Sequence, residues 1–294
     1  MLEAPVVTTP PKPFLSMMKG NRAGVWTTIG GGVLVLVVWQ LALVLLGVFV
    51  LVVQRIMLGQ DAPTANEEAK GMAILLLGGF GPAFIVLMLW RQLVERGSIK
   101  TLFTAKPRFR WSLALLAALF VGGLGLALTL GLDPDSVAQI KERIERFTFQ
   151  DWLLLCLAYG VGISVQASFE EVYVRGWLLQ HVNRIFPHVF GSIVMTSIVF
   201  SLLHVGHPGW ATYVVTFVMG LAFGWSAWRL GGLEAAMGAH IGNNLVGALL
   251  SGQMISGNPP SMDLPQIGIY VVYVLGFLLF VEGWARFFGK PSRA

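Results

Sequence analysis

The chain is 294 residues long, 55% hydrophobic and only 12% charged, with a mean hydropathy of +0.72. That composition excludes a water-soluble globular protein and places the chain among integral membrane proteins. Its formal charge of +5 is no nucleic-acid signal, because the basic residues sort by membrane side, and its single cysteine, Cys156, excludes an intrachain disulfide and any cysteine-built metal site.

Residues 1–22 contain Pro and Lys and show neither a signal-peptide nor an N-terminal lipidation pattern. Crossing a bilayer takes about twenty apolar residues. Eight such spans are predicted, which makes the fold all-α and polytopic: Val25–Val53, Met72–Trp90, Trp111–Leu132, Trp152–Gln180, Val189–Val205, Ala211–Leu230, Leu233–Ser251 and Ile267–Phe287. Pro82 is expected to kink the second span. Between the spans, Lys100–Arg110 is a basic loop suited to anionic headgroups. Asp133–Gln150 reads as a solvated outer helix, and Ser256–Pro265 as a turn-rich loop. Glycines are concentrated in the spans, and Gly220-x-x-x-Gly224 and Gly238-x-x-x-Gly242 have the spacing that lets helices approach closely.

Charge sets the orientation. With the N-terminus inside, 15 of the 20 basic residues fall on the inner side, from Lys12 through Arg91, Lys106 and Arg184 to Arg293. Arg55, Lys70, Lys141, Arg143 and Arg146 remain outside, and their loops also carry acids. The split predicts an even number of spans with both termini cytoplasmic. The Ala/Gly/Val/Leu-rich composition suggests a bacterial cell membrane.

Three charges interrupt the fourth span: Glu170, Glu171 and Arg175 within Ala167–Gly176. A charge at the centre of a membrane helix costs about 2.5–3.5 kcal/mol on insertion scales, so three of them need a reason. Glu171 and Arg175, at i and i+4, form a helix-surface ion pair that holds the helix orientation; in the alternative, Arg175 meets a substrate carboxylate. Glu170 lies about 100° round the helix and needs a partner from another segment. Two later spans supply polar groups. His204 closes the fifth, in Phe200-Ser201-Leu202-Leu203-His204. His240 and Asn244 share a face of the seventh, and Gly238 and Gly242 would let another helix approach that face. Glu170, His204, His240 and Asn244 on three spans argue against a purely structural role. His181, His188 and His207 are read as interfacial.

Glu170-Glu171-x-x-x-Arg175, Phe200-x-x-x-His204 and His240-x-x-x-Asn244, in that order and each in its own span, resemble the three motifs of the CPBP family. These are the type II CAAX prenyl endopeptidases and their bacterial relatives, also called Abi proteins. The resemblance covers about Trp152–Leu250. It implies an intramembrane protease in which Glu170 and His204 handle water and His240 and Asn244 face the scissile carbonyl. Val174 departs from the pattern by standing where a bulky aromatic is expected. The chain then divides into a tail (1–24), three membrane helices with their loops (25–150), a catalytic core (151–252) and a last membrane helix with the C-terminus (253–294).

The mechanism expected is peptide hydrolysis by a glutamate-activated water, with no cofactor. Zinc or another divalent ion on Glu170, His204 and His240 is the nearest alternative. Against it, there is no H-E-x-x-H helix, and no carboxylate is visible in sequence to orient either imidazole. Ser201, three residues before His204, is the one serine worth weighing as a nucleophile; it would leave Glu170 without a task. Buried Glu, His and Arg also mark carriers, but two similar halves are not apparent. A non-catalytic scaffold would not need every one of these polar residues. The partners implied are the lipid bilayer and a membrane-associated peptide or lipidated protein as substrate, not nucleic acid.

Overall fold

The computed structural model describes residues 13–18, 24–58, 63–132, 134–205, 209–251 and 264–288. Among these, all regular structure is helical: α1 Val25–Leu58, α2 Ala65–Val94, α3 Trp111–Leu132, α4 Pro134–Arg146, α5 Phe149–Ile185, α6 Val189–Leu202, α7 Trp210–Leu230, α8 Glu234–Ser251 and α9 Leu264–Phe288. The all-α membrane architecture is as expected, and each of the eight predicted spans is a helix. Six, α1, α2, α3, α5, α7 and α9, are long and apolar enough to cross a bilayer. The other two, α6 and α8, are the helices that carry polar site residues. α6 is short, and α8 is diluted by Glu234, His240, Asn243 and Asn244. His207 and most of the 256–265 loop lie outside the described residues.

Local chemistry sets the helix ends. Thr64 and Glu67 cap α2 reciprocally, as Thr148 and Asp151 cap α5, so backbone N–H groups left unpaired at each helix start are satisfied. α2 is continuous but turns π-helical at Ile74–Gly78, just before Pro82, and again at Trp90–Val94. Proline cannot donate to the carbonyl four residues back, and a wider turn beside it absorbs the missing bond. α5 turns π-helical at Val172–Leu178, directly after Glu171.

Two packing devices position the site. The first is an aromatic ladder. Phe169, Tyr173, Trp177 and His181 stack in sequence along α5 at ring separations of 5.9, 5.8 and 4.6 Å. Phe169 also meets Trp39 of α1 and Phe80 and Phe84 of α2. The aromatic side of α5 therefore faces α1 and α2, and its polar side is free for α8. The second is a glycine seam. Cβ atoms added at Gly238 and Gly242 would lie 2.0 and 2.2 Å from the carbonyl oxygens of Ala114 and Ala118, so α3 lies directly against the backbone of α8. This corrects one expectation. Positions two apart on an α-helix are about 200° apart, so the glycines admit α3 on the face opposite His240.

The ends of the bundle are closed by buried charge. Glu68 of α2 accepts from Tyr159 at 2.8 Å and pairs with Arg143 of α4, whose Nε donates to the Leu249 carbonyl at 2.7 Å. The predicted outer helix is thus clamped across α2, α5 and α8, and its Lys141–Glu145 pair is exposed. Near the opposite end of α5, Phe14, Leu15 and Met18 are buried in the core.

Candidate functional site

The central element is the junction of α5 and its π segment. Gln166 and Glu170 are one turn apart, and the Gln166 Nε2–H donates to Glu170 Oε1 at 2.6 Å. Across the interface, Asn244 of α8 donates from Nδ2 to Gln166 Oε1 at 3.0 Å, and Asn243 donates to Asn244 Oδ1 at 2.8 Å. One turn before Asn244, His240 stands between the two glutamates. Its Nδ1 is 2.9 Å from Glu171 Oε1, and its Nε2 is 3.7 Å from Glu170 Oε2. Arg175 Nη1 donates to the same Glu171 oxygen at 2.8 Å. Glu170, Glu171, Arg175 and His240 are all buried.

The chemistry fixes which way these bonds run. A carboxylate oxygen only accepts, so His240 Nδ1 carries its proton toward Glu171, and Nε2 is the ring nitrogen left for reaction. A carboxylate orienting an imidazole was not legible in the sequence, and Glu171 supplies it. Glu171 therefore holds both Arg175 and His240. Arg175 is 1% exposed and lies over the Phe200 ring at 4.1 Å and the Phe223 ring at 5.4 Å. That burial favours the pair with Glu171 over the alternative in which Arg175 meets a substrate carboxylate.

His204 joins through Phe200. Its ring lies 5.0 Å from the Phe200 ring, and the His240 ring lies 6.1 Å from the same ring. Its Nδ1 donates to the Phe200 carbonyl at 2.9 Å, which leaves Nε2 as the acceptor of the neutral ring. Phe223 stacks on His240 at 5.6 Å from the other side. Ser201 donates to the Tyr213 carbonyl at 2.8 Å, a bond that joins α6 to α7 and does not activate a nucleophile.

Two buried oxygens of the cluster, Glu170 Oε2 and Glu171 Oε2, have no hydrogen-bond partner among the described residues. The Glu170 oxygen faces His240 Nε2 across a distance too long for a hydrogen bond. One turn before His240, Met237 lines a cavity of about 550 Å3 together with Lys100, Thr104, Arg108 and Trp111.

The metal alternative can be tested on the donor set. No three His, Cys, Asp or Glu residues among those described are gathered to hold a metal ion. The Glu171–His240 pair is an arrangement that metal-bound imidazoles also use, so the donor set keeps the metal alternative as one for the chelator experiment to decide. Of the other histidines, His188 caps α6 by accepting from Gly191 N at 2.9 Å. His181 is not interfacial: it is fully buried at the end of the aromatic ladder, 3.1 Å from Glu95. Burial follows from its four-residue spacing after Trp177, which keeps it on the ladder side of α5.

Fold and site together define a polytopic helical membrane protein with a buried glutamate–imidazole–amide cluster at its centre. The sequence model of the type II CAAX prenyl endopeptidase Rce1-like family matches residues 148–246, which covers α5 through most of α8 and every residue of the cluster, so the resemblance carried by the three motifs is borne out for this segment. A curated relative, the uncharacterized protein YyaK of Bacillus subtilis (strain 168), is 24% identical over 162 residues. That alignment covers 52% of this chain and 52% of YyaK, so the match spans about half the length of the relative. No solved structure matches.

Proposed function

We propose that this protein is an intramembrane endopeptidase that hydrolyses a peptide bond with a water activated by Glu170. The observation that carries the reading is the Glu170 Oε2 atom, buried, without a hydrogen-bond partner among the described residues, and 3.7 Å from His240 Nε2. An ionised carboxylate with one oxygen held by Gln166 and the other open is arranged as a general base.

In this scheme a water bound between Glu170 Oε2 and His204 Nε2 gives its proton to Glu170 as its oxygen attacks the scissile carbonyl carbon. The negative charge on the carbonyl oxygen is met by the second N–H of Asn244 and by His240 Nε2–H when the ring carries its second proton. Such donors are each worth about 3–4 kcal/mol in other hydrolases. As the C–N bond breaks, Glu170 returns the proton to the leaving amine. No covalent intermediate forms, and no step passes through a metal. Glu171 keeps His240 oriented, and Arg175 keeps Glu171 in place.

The substrate is a membrane-associated peptide or lipidated protein. The cavity lined by Met237, one turn before His240, also carries Lys100 and Arg108, cations suited to a peptide with a free C-terminal carboxylate. Both termini are cytoplasmic, by the distribution of basic residues.

The test is a cleavage assay in detergent with a panel of lipidated and unlipidated peptides, on wild type and Glu170→Gln, with and without chelator. Cleavage by wild type, in chelator as well as without it, and none by Glu170→Gln is the expected result. Cleavage that survives Glu170→Gln would refute the reading, and loss of activity in chelator would favour the metal alternative.

A further inference from the structure

We propose that Gln166, which lies outside the three motifs, is a positioning residue for the reaction: it holds Glu170 and sets the orientation of the Asn244 amide. The inference rests on the reading that Glu170 activates water. Gln166 is 5% exposed, and both ends of its amide are used inside the cluster: Nε2 donates to Glu170 Oε1 at 2.6 Å, and Oε1 accepts from Asn244 Nδ2 at 3.0 Å.

The order of these bonds follows from charge. Glu170, ionised as a base must be, can only accept, so Gln166 must turn its NH2 toward it. Its carbonyl oxygen then faces α8, and Asn244 must present its own NH2 to that oxygen. Asn244 Oδ1 is left to accept from Asn243, as it does at 2.8 Å. The ionised carboxylate thus sets three successive amides in one direction. An Asn amide carries two N–H groups, and Gln166 uses one; the other stays on the donor side that the scissile carbonyl oxygen requires. Without Gln166, the Asn244 amide is oriented by its neighbour Asn243 alone, and the Glu170 carboxylate is free to rotate about its last torsion. Since Oε1 is held by Gln166, Oε2 is the oxygen that faces His240.

Interhelical hydrogen bonds between polar residues also hold membrane helices together, and that role alone would be read in stability. The two roles separate in the kinetics. Gln166→Met keeps the side-chain length and removes both hydrogen bonds. In purified full-length protein and a peptide that wild type cleaves, kcat should fall about 10- to 100-fold, the range of a lost hydrogen bond to a charged group. KM should stay within about twofold, since the lost interactions act on the transition state. In an Asn244→Leu background the same substitution should cost much less, because residues that act through one another are not additive.

Gln166→Glu is the second variant. It keeps the oxygen that Asn244 needs and puts an oxygen in place of the N–H that Glu170 needs, and it too should lose turnover, read as kcat of the folded fraction because a second buried carboxyl group also lowers the melting temperature. A wild-type kcat in either variant, or losses that follow the melting temperature and add fully to Asn244→Leu, would overturn the proposal. Glu170→Gln run beside them separates the two readings. If Glu170→Gln is inactive while Gln166→Met turns over normally, only the role of Gln166 fails. If Glu170→Gln is active, the water-activation reading itself has failed.

Discussion

Two buried clusters in this protein are built from the same residue types, and they differ in one respect. In the first, Glu95 accepts from Arg91 Nη1 at 2.9 Å on one oxygen and from Trp177 Nε1 at 2.8 Å on the other, with His181 Nε2 3.1 Å away. In the second, Glu170 accepts from Gln166 on one oxygen only, and the other is open toward His240. Both carboxylates are buried among an arginine, a histidine and aromatic rings. Glu95 has both oxygens committed and ties the end of α2 to the π segment of α5. Glu170 has one oxygen in reserve. Burying an unpaired carboxylate oxygen is unfavourable, and Glu171 Oε2 is open as well; what sets Glu170 apart is that its open oxygen faces His240 Nε2, which is why the proposed chemistry is assigned to it.

The sharpest break of this comparison is in turnover. His240→Ala and His204→Ala should each lower kcat by about 10²–10⁴-fold, the range of general acid–base catalysis, with melting curves close to wild type. Adding Glu170→Gln to either should cost little more, as members of one catalytic unit do not act independently. Fully additive losses in the peptide-cleavage assay would place the residues in separate functions.

The next effect is on stability. Arg175→Ala leaves Glu171 buried and short of a partner, and should destabilise the fold by about 3–5 kcal/mol, read as a lower melting temperature and yield. Replacing both Arg175 and Glu171 by apolar residues should recover part of that stability, but not turnover, because His240 then loses the carboxylate that fixes its Nδ1–H. Recovery of full activity in the double variant would show that Glu171 serves only Arg175.

These two effects mark what could be read from the chain alone. Glu170 and Glu171 stand out because charge is scarce in a membrane span, and the four-residue spacing of His240 and Asn244 puts them on one face. Those are properties of a sequence. The bond from Glu171 to His240 is a property of how α5 and α8 meet, and it depends on where the π segment begins, which spacing does not reveal. Gln166 was missed for a different reason. A lone glutamine in an apolar run carries no charge to flag it, although its position one turn before Glu170 was there to be noticed. His181 reads as interfacial because it follows the end of the fourth apolar run, whereas the regular spacing Phe169, Tyr173, Trp177, His181 marks a single packed ladder. The eight helices, six of them long and apolar enough to cross a bilayer, are legible because apolar length is a local quantity; the clamp of Arg143 on Glu68 and Leu249, which joins residues far apart in the chain, is not.

A smaller effect tests the packing that supports the comparison. Gly242→Ala would push a Cβ to 2.2 Å from the Ala118 carbonyl oxygen and should destabilise the protein by about 1–3 kcal/mol by overpacking. Gly123→Ala on α3 has nothing within 4 Å of the added carbon and should stabilise by roughly 0.5–1 kcal/mol through helix propensity. Thermal melts of the pair should move in opposite directions; equal shifts would mean that α3 and α8 are not in close contact. Orientation can be tested at no energetic cost. In a background with Cys156 replaced, a cysteine at exposed Lys141 should react with an impermeant reagent from outside the cell, and one at exposed Lys106 should not. The reverse labelling pattern would invert the topology.

The most direct measurement sets the two glutamates against each other in one experiment: kcat and melting temperature for Glu170→Gln and Glu95→Gln, purified side by side. Glu170→Gln should abolish turnover and leave the melting temperature near that of wild type. Glu95→Gln should lower the melting temperature and leave the turnover of the folded fraction largely intact. Retained cleavage by Glu170→Gln, or a loss of turnover in Glu95→Gln at an unchanged melting temperature, would contradict the assignment of chemistry to the open carboxylate and structure to the closed one.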